Sequence, residues 1–288
     1  MKICRFNHDR LGVVDGEVVR DVSAALDALP QFTWPFPLGD PVVANLSSVR
    51  RRVHELLPDA PSIALADVRL ESPVANPGKI IGAPVNYRSH EDEIDDDLRH
   101  GHVIKPISEW GLFLKANSAL CGPAAGVRRR FPDARTDHEV ELAVVIGREG
   151  SDIPAHTAMS YVAGYCIGLD VTLRGPQFQC FRKSIDSYAV VGPWLVTADE
   201  IADPGHLAMS LSVNGEIRQS ASTDRLILDI PRLIALASSF YTLHPGDIIM
   251  TGTPAGVGPL LDGDIMHAKI EDIGEMTVVV SDHSALSQ

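Results

Sequence analysis

Two carboxylates lie two residues apart at the start of an apolar segment, in the run 136–147. If this segment is a β-strand, Glu139 and Glu141 point to one face, with Cα atoms roughly 6.6 Å apart, and His138 and Val140 point to the other. Carboxylates that converge to ~5 Å repel each other by roughly 3 kcal/mol at an effective dielectric near 20, and burial adds a desolvation cost. A divalent cation would offset both costs, so the pair is a candidate metal site.

A simpler alternative places both glutamates on the solvent-facing side of an antiparallel strand, where such pairs are common. Against it, Val144, Val145 and Ile146 continue the run without polar alternation, which predicts a strand buried on both faces. A second apolar run, 165–172, carries a third acid, Asp170. Three carboxylate ligands suit Mg²⁺, Mn²⁺ or Ca²⁺ better than zinc, which favours Cys and His.

The elements that must position these acids are mostly strands. After residue 77, short apolar runs recur between Gly and Pro residues, and few clear helices interrupt them, the best being 155–162 and 230–238. The runs are 79–83, 112–116, 139–146, 165–172, 194–197, 208–213, 247–250 and 276–280. This pattern predicts an α+β fold that is mainly β.

The first 67 residues are predicted to form a small separate α/β domain. Asp15-Gly16 is a two-residue hairpin signal between strand-like runs, and a proline-rich stretch at 30–41 separates two short helices. The predicted strands are 2–6, 11–14 and 17–20, and the predicted helices are 23–29 and 42–57. The prolines of 67–77 mark a boundary, so we expect domains at 1–67 and 68–288.

Composition excludes several classes of function. The formal net charge is -13, and no basic stripe is present, which argues against nucleic-acid binding and against anionic membranes. The N-terminus lacks the apolar core of a signal peptide, and no apolar stretch approaches the ~20 residues that span a bilayer. We therefore expect a cytoplasmic protein with no membrane and no nucleic-acid partner.

Other catalytic motifs are missing. The four cysteines form no C-x-x-C pair, so buried free thiols are expected. No G-x-S-x-G elbow is present to support a serine nucleophile. The glycines of 251–258 match neither the Walker spacing nor the dinucleotide-binding spacing.

Four sequence segments together resemble the fumarylacetoacetate hydrolase family in order and spacing. They are NPGKII at 76–81 with NYRSHEDE at 86–93, HEVEL at 138–142, DVTLR at 170–174 with KSID at 183–186, and PGD at 245–247 with TGTPAGVG at 251–258. The resemblance covers residue 68 to the C-terminus, and the N-terminal unit resembles the smaller, variable domain of many members.

The resemblance implies an FAH-like mixed β-roll catalytic domain, usually a homodimer, that binds Mg²⁺ or Mn²⁺, with Ca²⁺ as a substitute in a crystal. Its substrates would be small 2-oxo acids with a second carbonyl nearby. By resemblance, the metal ligands are Glu139, Glu141 and Asp170, the active-site lysine is Lys183, the lid pair is His90 and Glu93, and the substrate contacts are Arg174, Gln177 and Thr253.

These positions have chemically coherent roles. Three carboxylates on an octahedral ion leave about three sites, enough for a bidentate oxo acid and one water. His90 and Glu93 share a face if their segment is helical, so the carboxylate can fix the imidazole tautomer and raise its basicity. The activated water would attack the distal carbonyl of the substrate. Lys183 would stabilise the oxyanion, and the metal would stabilise the enolate that is released.

The leading hypothesis is a metal-dependent hydrolase that cleaves a carbon-carbon bond in a 2,4-dioxo acid of the acylpyruvate or fumarylpyruvate type, in aromatic catabolism. One alternative keeps the site but isomerises a 2-hydroxymuconate-like acid or decarboxylates oxaloacetate. Another is a non-catalytic metal-binding paralogue, in which the acids persist without turnover. Taken singly, His90 could be a surface residue, and Lys183 or Arg174 an ordinary ion-paired side chain.

Several positions depart from the family pattern. Proline stands at position 84, the stretch 94–110 is long, Gly175 and Pro176 follow Arg174, and Phe181-Arg182 precedes Lys183. We therefore expect a differently shaped lid and altered walls around an unchanged metal site.

Overall fold

The computed structural model describes residues 1–93 and 105–283, and part of the predicted lid, 94–104, lies outside them. This described part contains more strand than helix, as the sequence predicts. Its strands are β1 Lys2–Phe6, β2 Arg10–Asp15, β3 Val18–Asp21, β4 Ser62–Ala64, β5 Leu70–Glu71, β6 Ile80–Gly82, β7 Phe113–Lys115, β8 Leu120–Cys121, β9 Val127–Arg129, β10 Thr136–His138, β11 Val140–Ile146, β12 Val162–Asp170, β13 Thr172–Leu173, β14 Ala189–Thr197, β15 Ala208–Val213, β16 Glu216–Ser222, β17 Ile248–Met250, β18 Gly258–Pro259, β19 Ile265–Ile270 and β20 Gly274–Asp282.

Helices are short and few in the same part of the chain. The α-helices are α1 Pro41–Ala44, α2 Leu46–Leu56, α3 Arg88–Glu93, α4 Ile107–Trp110, α5 Gln179–Arg182 and α6 Ile230–Phe240. The predicted helix 42–57 is divided at Asn45, whose backbone leaves the helical region and whose amide donates to the Pro41 carbonyl at 2.9 Å. The predicted helix at 155–162 is a 3₁₀-helix over Ala155–Tyr161.

A twelve-stranded sheet carries the acidic residues near its middle. Its order is β4-β3-β2-β1-β14-β12-β11-β17-β6-β7, with β5 paired to β1 and β8 to β14. Strand β11 pairs with β12 on one edge and β17 on the other, and all seven of its residues are buried. Its Val- and Ile-rich composition suits a strand covered on both faces.

Smaller sheets cover this large one. A five-stranded sheet runs β16-β15-β19-β20-β9, and a three-stranded sheet runs β13-β10-β18. Leu211 and Ala268 of the five-stranded sheet share one core with Leu142 and Val144 of β11. The described residues thus form a mixed β architecture with few helices, as the sequence predicts.

The N-terminal unit joins the large sheet directly. Strand β1 is antiparallel to β14, with Lys2 opposite Val196 and Ile3 opposite Leu195. Phe6 and Val19 belong to the main core, and a smaller cluster lies under α2. The domain boundary after residue 67 therefore stays a prediction. The sheet and the core both continue across this position, which argues against two separate domains.

All four cysteines are free, but they differ in how deeply they are buried. Cys4 and Cys166 are buried as predicted, Cys121 is half-buried, and Cys180 is exposed, so the prediction of a buried thiol is wrong there. Burial raises the pKa of the Cys4 thiol to about 12, which makes it unreactive at neutral pH.

Candidate active site

Three acidic side chains converge at the centre of the large sheet. Glu139 lies between β10 and β11, Glu141 is the second residue of β11, and Asp170 ends β12. The Asp170 N–H donates to the Glu139 carbonyl at 2.9 Å, which holds the strand ends together. One carboxylate oxygen from each lies within 4.8 Å of the others, and all three are buried. The solvent-facing alternative for the glutamates is therefore excluded, and we call the three residues the acid triad.

Buried cations neutralise part of this charge. The Lys183 Nζ lies 2.7 Å from Glu139 Oε2 and 2.6 Å from Asp170 Oδ2. Arg174 donates to Glu139 Oε1 at 2.9 Å. The Lys115 ammonium contacts Asp170 and donates to the Tyr188 carbonyl at 2.9 Å. Each cation thus has an acidic partner, as buried charges require.

The two glutamates differ in their affinity for protons. Burial alone would raise the pKa of Glu139, but the charges of Lys183 and Arg174 outweigh it and hold the pKa below its ordinary value. Burial and the nearby Asp170 raise the pKa of Glu141 well above its ordinary value. In the metal-free protein, Glu141 therefore holds a proton more readily than Glu139 does.

The loop after β17 supports Glu141 and the start of β11. The Gly252 N–H donates to Glu141 Oε2 at 2.6 Å. The Thr253 hydroxyl donates to the Val140 carbonyl at 2.9 Å and accepts from Gln219 Nε2 at 2.7 Å. Thr253, a predicted substrate contact, lines the cavity but already has two protein partners.

His90 and Glu93 form a pair on α3. The His90 Nδ1 lies 3.2 Å from Glu93 Oε2, and the Gly256 N–H donates to Glu93 Oε1 at 2.8 Å. Burial would raise the pKa of Glu93, but the hydrogen bonds from His90 and Gly256 give it a net lowering. An ionised carboxylate only accepts hydrogen bonds, so Nδ1 carries the proton and Nε2 is the free base.

These groups share one small cavity of about 50 Å³. The acid triad, His90, Arg174, Lys183 and Thr253 all line it, with walls from Pro84, Val85, Trp110, Phe113, Gln179 and Arg182. Gln177 lies outside this cavity and is exposed in the adjoining groove, whereas Gln179 lines the cavity. The substrate contact predicted at Gln177 remains a prediction that the geometry does not favour.

Three site residues were missed by sequence reasoning: Lys115, Asp137 and Gln219. Lys115 ends β7 within the apolar run 112–116, so a charged residue inside an apolar run was the available signal there. Asp137 lies in the buried strand β10, whose polar sequence gave no such signal. Asp137 accepts from Arg174 Nε at 2.8 Å and thereby holds Arg174 against Glu139. Gln219 Oε1 accepts from the Val140 N–H at 3.0 Å. Nothing in the sequence around Gln219 marked it.

Within residues 1–93 and 105–283, no helix is both long enough and apolar enough to cross a lipid bilayer.

Comparison with known proteins gives a consistent set of relatives. The family model for the fumarylacetoacetate (FAA) hydrolase C-terminal region matches residues 79–281. A maleylpyruvate hydrolase of Aquipseudomonas alcaligenes is 56% identical over 284 residues, which cover 97% of this chain and 99% of that protein. A mitochondrial oxaloacetate tautomerase of Bos taurus is 38% identical over 80% of this chain and 74% of its own length.

Solved structures agree with these sequence relatives. The crystal structure of maleylpyruvate hydrolase from Sphingobium sp. SYK-6, in complex with manganese(II) and pyruvate, is 40% identical and superposes with a TM-score of 0.83. That match covers 99% of this chain and 100% of the other.

Proposed function

The chain belongs to the fumarylacetoacetate hydrolase family, and from this premise we propose that it is a metal-dependent hydrolase acting on a carbon-carbon bond of a ketonic substrate. The substrate class is a 2,4-dioxo acid of the maleylpyruvate type. One observation carries the proposal: a buried acid triad lines the same small cavity as His90, whose ring is paired with Glu93. The 56% sequence identity with a maleylpyruvate hydrolase supports this substrate class.

The acid triad fits a hard divalent cation. Its three buried carboxylates present oxygens within 4.8 Å of one another, and oxygen donors of this kind suit Mg²⁺ and Mn²⁺. Glu139, Glu141 and Asp170 would hold the ion. A bound divalent cation supplies positive charge that stabilises negative charge developing on the oxygens of an oxo acid.

His90 has the position and tautomer of a general base. With Nδ1 hydrogen-bonded to Glu93, its Nε2 is free to take a proton from water, and the resulting imidazolium is stabilised by the carboxylate. The hydroxide delivered in this way adds to the distal carbonyl carbon of the substrate. Cleavage then gives a carboxylic acid from the acyl half and pyruvate from the other half, after a proton is returned to the pyruvate carbon.

Lys183 and Arg174 add fixed positive charge beside the acids. Their contacts with Glu139 orient that carboxylate and leave both cations facing the cavity, where an oxyanion would form. Phe113 and Trp110 add apolar surface to the cavity wall, and apolar surroundings strengthen charge interactions. The site thus combines a base for water with charge for the product anions.

The direct test is pyruvate release from maleylpyruvate in the presence of Mg²⁺ or Mn²⁺, followed by coupled oxidation of NADH. We expect one pyruvate and one maleate for each substrate consumed, and no release by the Glu141→Ala protein. A wild-type rate equal to that of Glu141→Ala, for maleylpyruvate and for acylpyruvates alike, would refute the proposal.

A second candidate is tautomerisation or decarboxylation of oxaloacetate at the same site. It is favoured by the 38% identity with an oxaloacetate tautomerase. The His90–Glu93 pair argues for hydrolysis, because a reaction that consumes water needs a base to activate it. Enol-to-keto conversion of oxaloacetate, followed by ultraviolet absorbance, with no cleavage of maleylpyruvate would support the second candidate. Metal binding with neither activity would identify a non-catalytic paralogue.

The finer properties predicted from the sequence form part of this proposal. They are a preference for Mg²⁺ or Mn²⁺, a homodimer and a cytoplasmic location. Activity titrations with each metal, sedimentation equilibrium and cell fractionation test them in turn.

A further inference from the structure

Arg182 is the cation of the cavity that has no acidic partner among residues 1–93 and 105–283. Its terminal nitrogen reaches the Leu173 carbonyl at 3.4 Å, and its buried Nε has no hydrogen-bond partner. The other buried cations at or next to the acid triad, Lys115, Lys183 and Arg174, all contact carboxylates. Burial and the neighbouring charge of Arg174 lower the pKa of Arg182, so this position is costly for a guanidinium.

The local backbone aims Arg182 at the site. Gln179 and Arg182 are three residues apart on the single turn α5, so they share a face, and both line the cavity. Phe178 and Phe181 are exposed instead. The next residue, Lys183, contacts two members of the acid triad. Arg182 thus lies beside the acid triad, next to Lys183, which two ion pairs hold in place.

Arg182 also lies where the cavity meets a larger groove. This groove, of about 950 Å³ and mostly apolar, is lined by Leu173, Phe181 and Ile185, and it shares Arg174 and Arg182 with the cavity. The smaller cavity suits the oxo-acid head of a substrate. A longer acyl group would extend from the triad past Arg182 towards the groove.

The balance of charges around the cavity would allow two anionic groups of a substrate to be neutralised once a divalent cation is bound. When Glu141 is ionised and His90 is neutral, five carboxylates at or next to the cavity are balanced by five cationic side chains. The carboxylates are Glu93, Asp137, Glu139, Glu141 and Asp170, and the cations are Lys115, Arg135, Arg174, Arg182 and Lys183. A divalent cation on the triad adds two positive charges, which a dicarboxylate substrate would neutralise and a monocarboxylate would not.

We propose that Arg182 binds a carboxylate at the far end of the substrate, so that the enzyme selects dicarboxylic 2,4-dioxo acids over acylpyruvates with neutral tails. This inference rests on the proposed function and names the substrate class more narrowly. A guanidinium can pair with a carboxylate through two parallel hydrogen bonds, which favours a planar anionic tail over a methyl group.

The test compares maleylpyruvate with acetylpyruvate, whose tail is a methyl group. We expect Arg182→Gln to raise KM for maleylpyruvate by about 10- to 100-fold, the loss typical of a charge-assisted contact. The constants for acetylpyruvate should stay within about threefold of wild type. Arg182→Lys keeps the positive charge but lacks the two parallel donors of a guanidinium. It should therefore keep part of the preference for maleylpyruvate over acetylpyruvate. An equal loss on both substrates would assign Arg182 a merely structural role and overturn the proposal.

Arg128→Gln is the matched control, because Arg128 is an exposed arginine of the same groove that does not line the cavity. It removes one positive charge from the neighbourhood. An unchanged substrate preference in Arg128→Gln, beside a lost preference in Arg182→Gln, supports specific binding. An equal loss in both variants would show a general electrostatic effect and contradict the proposal.

Equilibrium binding separates this inference from the proposed function. Calorimetry with the Mn²⁺-loaded protein would compare maleate with isocrotonate, in which a methyl replaces one carboxylate. We expect maleate to bind more tightly to wild type and about equally with isocrotonate to Arg182→Gln. If wild type hydrolyses neither substrate, the proposed function fails, and this pair of ligands still decides the role of Arg182. Equal binding of maleate by wild type and Arg182→Gln would refute it.

Discussion

At the residue scale, Glu139 and Glu141 differ in their affinity for protons, and this difference bears on the metal binding that we propose for the acid triad. Lys183 and Arg174 keep Glu139 ionised, whereas burial and Asp170 favour the neutral form of Glu141. A cation bound as we propose would therefore have to displace a proton from Glu141 before all three carboxylates could bind it. Metal affinity and stability are both linked to pH through this one residue.

We expect Glu141→Gln to be at least as stable as wild type without metal at neutral pH. The folded pKa of Glu141 is raised, so its contribution to stability is present below the unfolded pKa of about 4.3 and is lost as pH rises through the folded pKa. The variant mimics the protonated form. Thermal unfolding of both proteins, with and without Mn²⁺, compares their stabilities. Mn²⁺ should raise the Tm of wild type and leave that of Glu141→Gln unchanged. A large destabilisation of metal-free Glu141→Gln would contradict the assignment.

Removal of His90 should slow the reaction without removing the metal site. We expect His90→Ala to lower kcat by about 10²- to 10⁴-fold, because water then lacks a positioned base. Glu93→Gln should cause a smaller loss, since its amide can no longer stabilise an imidazolium. The thermal shift caused by Mn²⁺ serves as the control and should persist in both variants. Full hydrolytic activity in His90→Ala would exclude it as the base.

At the element scale, the turn after β17 holds the site against the loop after β6. The buried Asn86 side chain donates to the Leu228 carbonyl at 2.9 Å and to the Thr251 carbonyl at 2.8 Å. The preceding residue, Val85, has a φ of 48° and lines the cavity. A β-branched residue rarely adopts this conformation, which costs on the order of 1–3 kcal/mol. The neighbouring contacts therefore hold a strained cavity wall in place.

Gly252 is a position in this turn that has no room for a side chain. Its φ is 101°, and an added Cβ would lie 2.6 Å from the Asn86 Cβ. We expect Gly252→Ala to destabilise the fold by about 1–3 kcal/mol and to weaken Mn²⁺ binding, because the N–H that binds Glu141 is displaced. Gly263→Ala is the matched control, with a φ of 82° and nothing within 4 Å of the added Cβ. Equal metal affinity in the two variants would argue against this role.

At the scale of the whole molecule, the N-terminal strands and the catalytic sheet form one hydrogen-bonded structure. Strand β1 lies between β2 and β14, and Phe6 is fully buried in the core that also contains Leu142. A boundary after residue 67 would therefore have to interrupt both the sheet and its core. The ion pair between Arg50 and Asp199 adds a surface link at 2.7 Å.

We expect this continuity to give a single cooperative unfolding transition in differential scanning calorimetry. Phe6→Ala, which opens a cavity in the shared core, should destabilise the whole protein by about 3–5 kcal/mol. Val49→Ala, in the cluster under α2, is the comparison within the N-terminal unit. Two separate transitions, with only one shifted by Phe6→Ala, would instead support independent domains at 1–67 and 68–288.

The sequence by itself determined the local features of this protein. Alternation placed Glu139 and Glu141 on one face, and the uninterrupted apolar run after them predicted the burial of β11. The spacing of four segments predicted the family, the acid triad and the histidine pair. These signals are readable because each depends on residues close together in the chain, where the period of a strand or helix fixes the geometry.

Only the tertiary structure decided which distant groups complete the site. Lys115 meets Asp170 across 55 residues, and Gln219 reaches Val140 across 79. The junction of β1 with β14 is likewise absent from any local pattern. So is the position of Arg182, which has no acidic partner among the described residues. Strand pairing and charge pairing are chosen by the packing of the whole chain, because a buried polar group takes whichever partner the fold brings within reach.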